Sequence, residues 1–124
     1  MVRKEWPDVW KDIRSVVSKI KNSGEEIRTL CRGCPNTVLE VTPSSIVVMS
    51  HRPLKKGEYK PRRITEEDFQ YVWSRLLEKG RIEGLDDIPK VRGRRAIICA
   101  ILAMLPYVNG QCEKGRLILE LIDP

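Results

Sequence analysis

The cysteines are the first residues whose spacing could do chemistry. Cys31 and Cys34 form a C-x-x-C pair in the stretch CRGCPN, while Cys99 and Cys112 stand elsewhere in the chain. A zinc ribbon assembles its ligands from two such pairs. Here the second pair is not C-x-x-C: Cys99 falls in an apolar run, where it reads as a small core residue, and Cys112 falls in a turn. We therefore expect no metal and free thiols. A Cys31–Cys34 disulfide, or a bridge from either of these to Cys112, is the alternative. The motif lies between two predicted strands and not at a helix N-terminus, so thioredoxin-type chemistry is not expected.

Other catalytic patterns are sparse. His51 is the only histidine and has no serine or cysteine nucleophile beside it in sequence. Pro7-Asp8 with Glu58-Tyr59-Lys60 superficially matches the metal-binding signature of restriction-type nucleases, which need two carboxylates around a divalent ion and a lysine near the attacking water. Asp8, however, opens a predicted helix and Glu58 sits in a Gly/Pro loop. Neither a phosphate-binding glycine loop nor a zinc-protease helix motif is present. We expect no enzyme activity, no catalytic residues and no cofactor.

Phosphate binding is the chemistry the charges favour. The chain carries 23 Lys and Arg against 17 Asp and Glu, a net charge of +6. The excess is uneven. Residues 31–64 hold seven basic and two acidic residues, whereas residues 65–93 hold five basic and seven acidic. The predicted loop 51–63 reads as a basic wing: Arg52, Lys55, Lys56, Lys60, Arg62 and Arg63 could meet phosphates, and Tyr59 could stack on a base or sugar. A second knot, Lys90, Arg92, Arg94 and Arg95, with Arg81 nearby by spacing, precedes the apolar run Ala96–Leu105. Cations at a helix N-terminus oppose the dipole, so an anion among them would make sense of the placement. The plainer readings are a solvated loop and arginines paired with Glu83, Asp86 and Asp87.

These groups must be positioned by a small set of elements. Trp6, Val9, Trp10, Ile13, Val16, Val17 and Ile20 recur at helical spacing and predict a first helix, stopped at Asn22-Ser23-Gly24. Glu26–Leu30, Thr37–Thr42 and Ile46–Ser50 predict three short strands in an antiparallel meander. Val38 and Glu40 alternate there against Leu39 and Val41. Thr65, with Asp68 in the capping-box position, predicts a second helix to Lys79, buried through Phe69, Val72, Trp73, Leu76 and Leu77. Residues 81–95 read as a connection. Ala96–Leu105 predicts a third helix, apolar all round and central to the core, and Leu117, Leu119 and Leu121 alternate through a final strand expected to join the sheet. The order α-β-β-β-α-α-β implies an α+β domain of three helices packed on a small antiparallel sheet, with a winged-helix-like layout as one form of it. The first helix also carries Lys4, Lys11, Arg14, Lys19 and Lys21 outside its apolar stripe, which makes it a better candidate to face nucleic acid than the acidic second helix.

With 124 residues the chain fits one domain. Its longest apolar run is short of the roughly 20 residues a bilayer span needs, and MVRKEWPDVW has no signal-peptide core. We expect no membrane association and a cytoplasmic protein. Three Asn and two Gln against a high charge content match thermophile composition.

Three segments together, GEEIRTLCRGCPNTVLEVTPSSIVV, RRITEEDFQYVWSRLLEKGRI and GRRAIICAILAMLPYV, resemble small modules found beside restriction-type nucleases and as free-standing prokaryotic proteins. The resemblance covers about two-thirds of the chain and implies a DNA-associated accessory domain with no catalytic residues to carry over. The expected function is thus nucleic-acid binding, to duplex DNA, mainly through phosphates. The alternative is an interaction module that forms a homodimer or docks on an acidic protein, with Trp6 and Trp10 as anchors.

Overall fold

The computed structural model describes residues 5–51, 61–91 and 94–122. Helix α1, Trp6–Ser23, begins with Pro7 in its first turn, where a missing N–H costs nothing. It ends on Gly24 in the left-handed region (φ 74°), as the sequence predicts. Val9, Trp10, Ile13, Val17 and Ile20 form its buried face. The meander follows: β1 (Glu26–Arg28), β2 (Pro35–Val41) and β3 (Ser45–Ser50) are antiparallel neighbours. A bulge interrupts the β2 register between Val38 and Glu40. Val38 is buried, while Leu39 and the residue after it both face outward. The expected alternation through Glu40 and Val41 therefore breaks, because the extra residue of a bulge shifts the side-chain period by one.

Pro61–Thr65, read from sequence as the end of a loop and a helix cap, is a fourth strand, β4. It pairs with β3 through Ser45↔Thr65 and on to Met49↔Pro61, and extends the sheet in the order β1-β2-β3-β4. Pro61 is tolerated because β4 is an edge strand. Helix α2, Glu66–Lys79, starts with the predicted capping box: Asp68 N–H donates to the Thr65 hydroxyl at 3.3 Å and Thr65 N–H donates to the Asp68 carboxylate at 3.2 Å.

The stretch read as a connection holds β5 (Arg81–Glu83) and two short 3₁₀ turns, Leu85–Asp87 and Pro89–Val91. Helix α3 spans Arg95–Leu102. It is shorter than the apolar run because Met104 and Leu105 donate to carbonyls only three residues back. Leu105 is still buried. The strands β6 (Val108–Glu113) and β7 (Arg116–Leu121) form a hairpin, and β5 pairs with β7 on its other side. The expectation that the last strand joins the first sheet is thus corrected. A second, three-stranded sheet, β5-β7-β6, stands beside the four-stranded one. The α+β class holds, with three α-helices and two antiparallel sheets among the described residues. One apolar cluster runs through both, from Val9 and Ile13 of α1 to Leu117 and Leu119 of β7. No helix among the described residues is long and apolar enough to cross a membrane.

Candidate anion-binding groove

A groove of about 900 Å³ lies where the β1–β2 turn, β3, β4, the start of α3 and the β6–β7 turn come together. Among the described residues, arginines from four different places in the chain line it: Arg32, Arg62, Arg95 and Arg116. Asp86 is the one carboxylate in the lining among the described residues. The floor is apolar, with Leu30, Val48, Ile97 and Leu117.

Local structure explains who arrives there. Arg62 and Arg63 are adjacent on β4, so their side chains leave opposite faces. Arg62 pairs with Val48 and shares the groove with it. Arg63 lies on the other face and donates to the Ser45 hydroxyl at 2.6 Å. Arg95 is held at the mouth of α3 by donating to the Leu85 carbonyl at 2.9 Å, with the fully exposed Asp86 carboxylate 3.9 Å away. At that distance from so exposed a carboxylate the ion pair is weak. Arg116 has Glu83 4.0 Å away, again through exposed groups. Arg32 makes no ion pair or hydrogen bond within the described residues. No side chain caps the N-terminus of α3, whose Arg95, Ala96 and Ile97 all line the groove.

The described residues of the second basic knot each meet a different neighbour. Lys90 sits over the Tyr71 ring of α2, 5.6 Å from its centre. Arg94 lies against Asp68, with Nε 3.2 Å from Oδ2, an ion pair without a well-aligned hydrogen bond. Among the described residues of this knot only Arg95 reaches the groove; Arg92 lies outside the described residues. Arg81, which spacing alone placed near the knot, is surrounded by acids instead. Glu83 is 2.8 Å, Glu120 3.0 Å and Glu113 4.0 Å from its guanidinium. The Glu120 hydrogen bond, ahead of these charges, raises its already high pKa further. The acids proposed as partners for the arginines are partly engaged elsewhere. Asp87 accepts from Lys79 at 2.8 Å and from the Glu83 amide at 3.0 Å, which together hold its carboxyl below the ordinary range.

Arg52, Lys55, Lys56, Tyr59 and Lys60 of the expected wing, with Glu58 of the nuclease-like signature, lie outside the described residues. Asp8 stands in the first turn of α1. His51 meets Thr37 Oγ1 at 2.6 Å and Glu26 at 3.1 Å across the end of the first sheet. The α1 cations Lys11, Arg14, Lys19 and Lys21 do not line the groove. Trp10 is buried and donates to the Pro43 carbonyl at 2.9 Å, and Trp6 stacks on it and donates to Glu66 at 2.9 Å. Both tryptophans help pack α1 onto the core, Trp10 buried and Trp6 partly so.

Sequence reading missed Arg32 and Arg116 as members of a common site. Only their charge marked them, since they stand far apart in the chain, Arg32 in the β1–β2 turn and Arg116 at the start of β7. It put free thiols first, with Cys31–Cys34 or a bridge from either to Cys112 as the alternative. The structure joins Cys31 to Cys112, which ties the β1–β2 turn to β6, and leaves Cys34 and Cys99 free. Cys31 and Cys34 both line the groove. No group of metal-ligating side chains occurs among the described residues. Compared with known proteins, the chain matches no family model, no curated protein and no solved structure.

Proposed function

We propose that the protein binds nucleic acid, with the groove as its phosphate-binding surface. The observation that carries this reading is the convergence of Arg32, Arg62, Arg95 and Arg116 on one groove, against one lining carboxylate among the described residues. Guanidinium groups from several directions suit the oxygens of a phosphodiester backbone. The apolar floor offers a surface for a sugar or base edge. Binding through phosphates is weakly sequence-specific, and the resemblance to DNA-associated modules points to duplex DNA before RNA or single strands.

The test is a salt titration of binding to random duplex DNA, duplex RNA and single-stranded DNA. Four phosphate contacts predict a log–log slope near −4, or about a hundredfold loss of affinity between 50 and 200 mM salt. The double variant R32E/R116E should bind at least tenfold more weakly at low salt and show a shallower slope. Absence of a shift with any of the three nucleic acids at low salt removes this reading.

A further inference from the structure

We propose that Cys34 is the exchange partner of the Cys31–Cys112 disulfide, so that the three sulfurs form a thiol–disulfide exchange site at the edge of the arginine groove. The disulfide joins residues 81 apart in sequence and ties the β1–β2 turn to the edge strand β6. Cys31 and Cys112 are exposed, so the bond is open to solvent. Cys34 carries a free thiol three residues from Cys31, is only half buried and lines the same groove as Cys31 and Arg32.

The turn is built to keep Cys34 there. Thr29 N–H donates to the Cys34 carbonyl at 3.1 Å, and Cys34 N–H donates to the Thr29 hydroxyl at 3.0 Å. The buried Asn36 amide donates to the same Cys34 carbonyl at 3.1 Å. Gly33 closes the turn at φ 64°, donating to Thr29 O at 3.0 Å. Cysteines three apart on one turn are close enough for a disulfide of their own. The fourth cysteine takes no part: Cys99 is enclosed in α3, and burial pushes its thiol up to about 12.

The step balances without an oxidant. The Cys34 thiol gives its proton to solvent, and its sulfur attacks Cys31 Sγ in line with the existing S–S bond. The Cys31–Cys34 bond forms as Cys31–Cys112 breaks. Cys112 leaves as a thiolate and takes up a proton, so one disulfide and one thiol remain. The long tether between the two sheets is exchanged for a local one, and the turn is then held to β6 by packing alone. That this loosens the groove rests on the phosphate-binding reading; the exchange itself does not.

The test incubates the full chain in glutathione redox buffers, quenches with acid, alkylates, and maps the disulfides by peptide mass spectrometry. Wild-type protein should show two single-disulfide forms, Cys31–Cys112 and Cys31–Cys34. C112S should form Cys31–Cys34 under oxidising conditions. In C34S, the rate at which Cys112 becomes alkylatable at low glutathione should fall about tenfold or more, because an intramolecular attacker is lost. A wild-type protein that passes from Cys31–Cys112 straight to free thiols, or a C34S rate equal to wild type, overturns the proposal. Duplex-DNA binding is measured on the same samples. Exchange without DNA binding removes the groove assignment and leaves the exchange site standing.

Discussion

Leu30 packs across the backbone of Gly110. A Cβ built at Gly110 would lie 3.1 Å from Leu30 Cδ1 and 3.3 Å from Leu119 Cδ2, and would collide with the Ala103 Cβ. The glycine lets the β1–β2 turn settle on β6, which in turn brings Cys31 to Cys112. The contact is steric, not conformational, since Gly110 is not among the residues of positive φ. G110A should therefore destabilise the fold by about 1–3 kcal/mol, the usual range for overpacking. Urea denaturation of the reduced protein isolates this term from the disulfide. No change in midpoint would mean that Ala103 does not close on Gly110 as described.

The disulfide closes a long loop and should stabilise mainly through the unfolded chain. C112S, compared with oxidised wild type, should lose about 2–4 kcal/mol in chemical denaturation. C34S should match wild type to within about 0.5 kcal/mol, as a partly exposed substitution away from the core. Equal losses in the two variants would contradict the Cys31–Cys112 pairing.

Asp68 serves two neighbours at once, completing the α2 capping box with Thr65 and pairing with Arg94 before α3. T65A removes one cap and should cost about 1 kcal/mol. D68A removes half of the box together with the Arg94 pair, and should cost about 1–2 kcal/mol. Thermal melts of both variants, with R94A to test for coupling, check the ordering. R94A and D68A effects that simply add would show the pair to be energetically idle.

Tyr107 donates to the Asp12 carboxylate at 2.7 Å and stands edge-on to Trp73. Burial first, then this hydrogen bond and the nearby acids, raises its phenol above the ordinary value of 10.0. The folded protein thus keeps a proton that the unfolded chain gives up. The stabilisation is fully present below about pH 10 and is lost as pH rises toward the folded value. Y107F should cost about 1–2 kcal/mol at neutral pH through the lost hydrogen bond to a charged group. It should also flatten the decline of urea midpoints between about pH 9 and about pH 11. An unchanged alkaline slope in Y107F would assign that decline to other groups.

Period and punctuation in the sequence determined the helices and the meander. The apolar face of α1, the Gly24 stop and the Thr65–Asp68 box are local, carried by neighbouring side chains and by φ preferences. The α+β class followed from their order. What needed the tertiary structure were the features made by residues far apart. Strands of three to six residues such as β5 and β6 lack enough sequence to announce themselves, and they exist because β7 supplies their hydrogen bonds. Sequence could show a surplus of cations but not their sorting. A strand's two-residue period sent Arg62 into the groove and Arg63 away, while Asp68 and Glu120 reached Arg94 and Arg81 from other elements. The Cys31–Cys112 bridge was likewise open among several pairings until the packing of Leu30 on Gly110 chose one. Charge and thiol chemistry belong to single residues; which of them meet is decided by how two sheets and three helices close around one core.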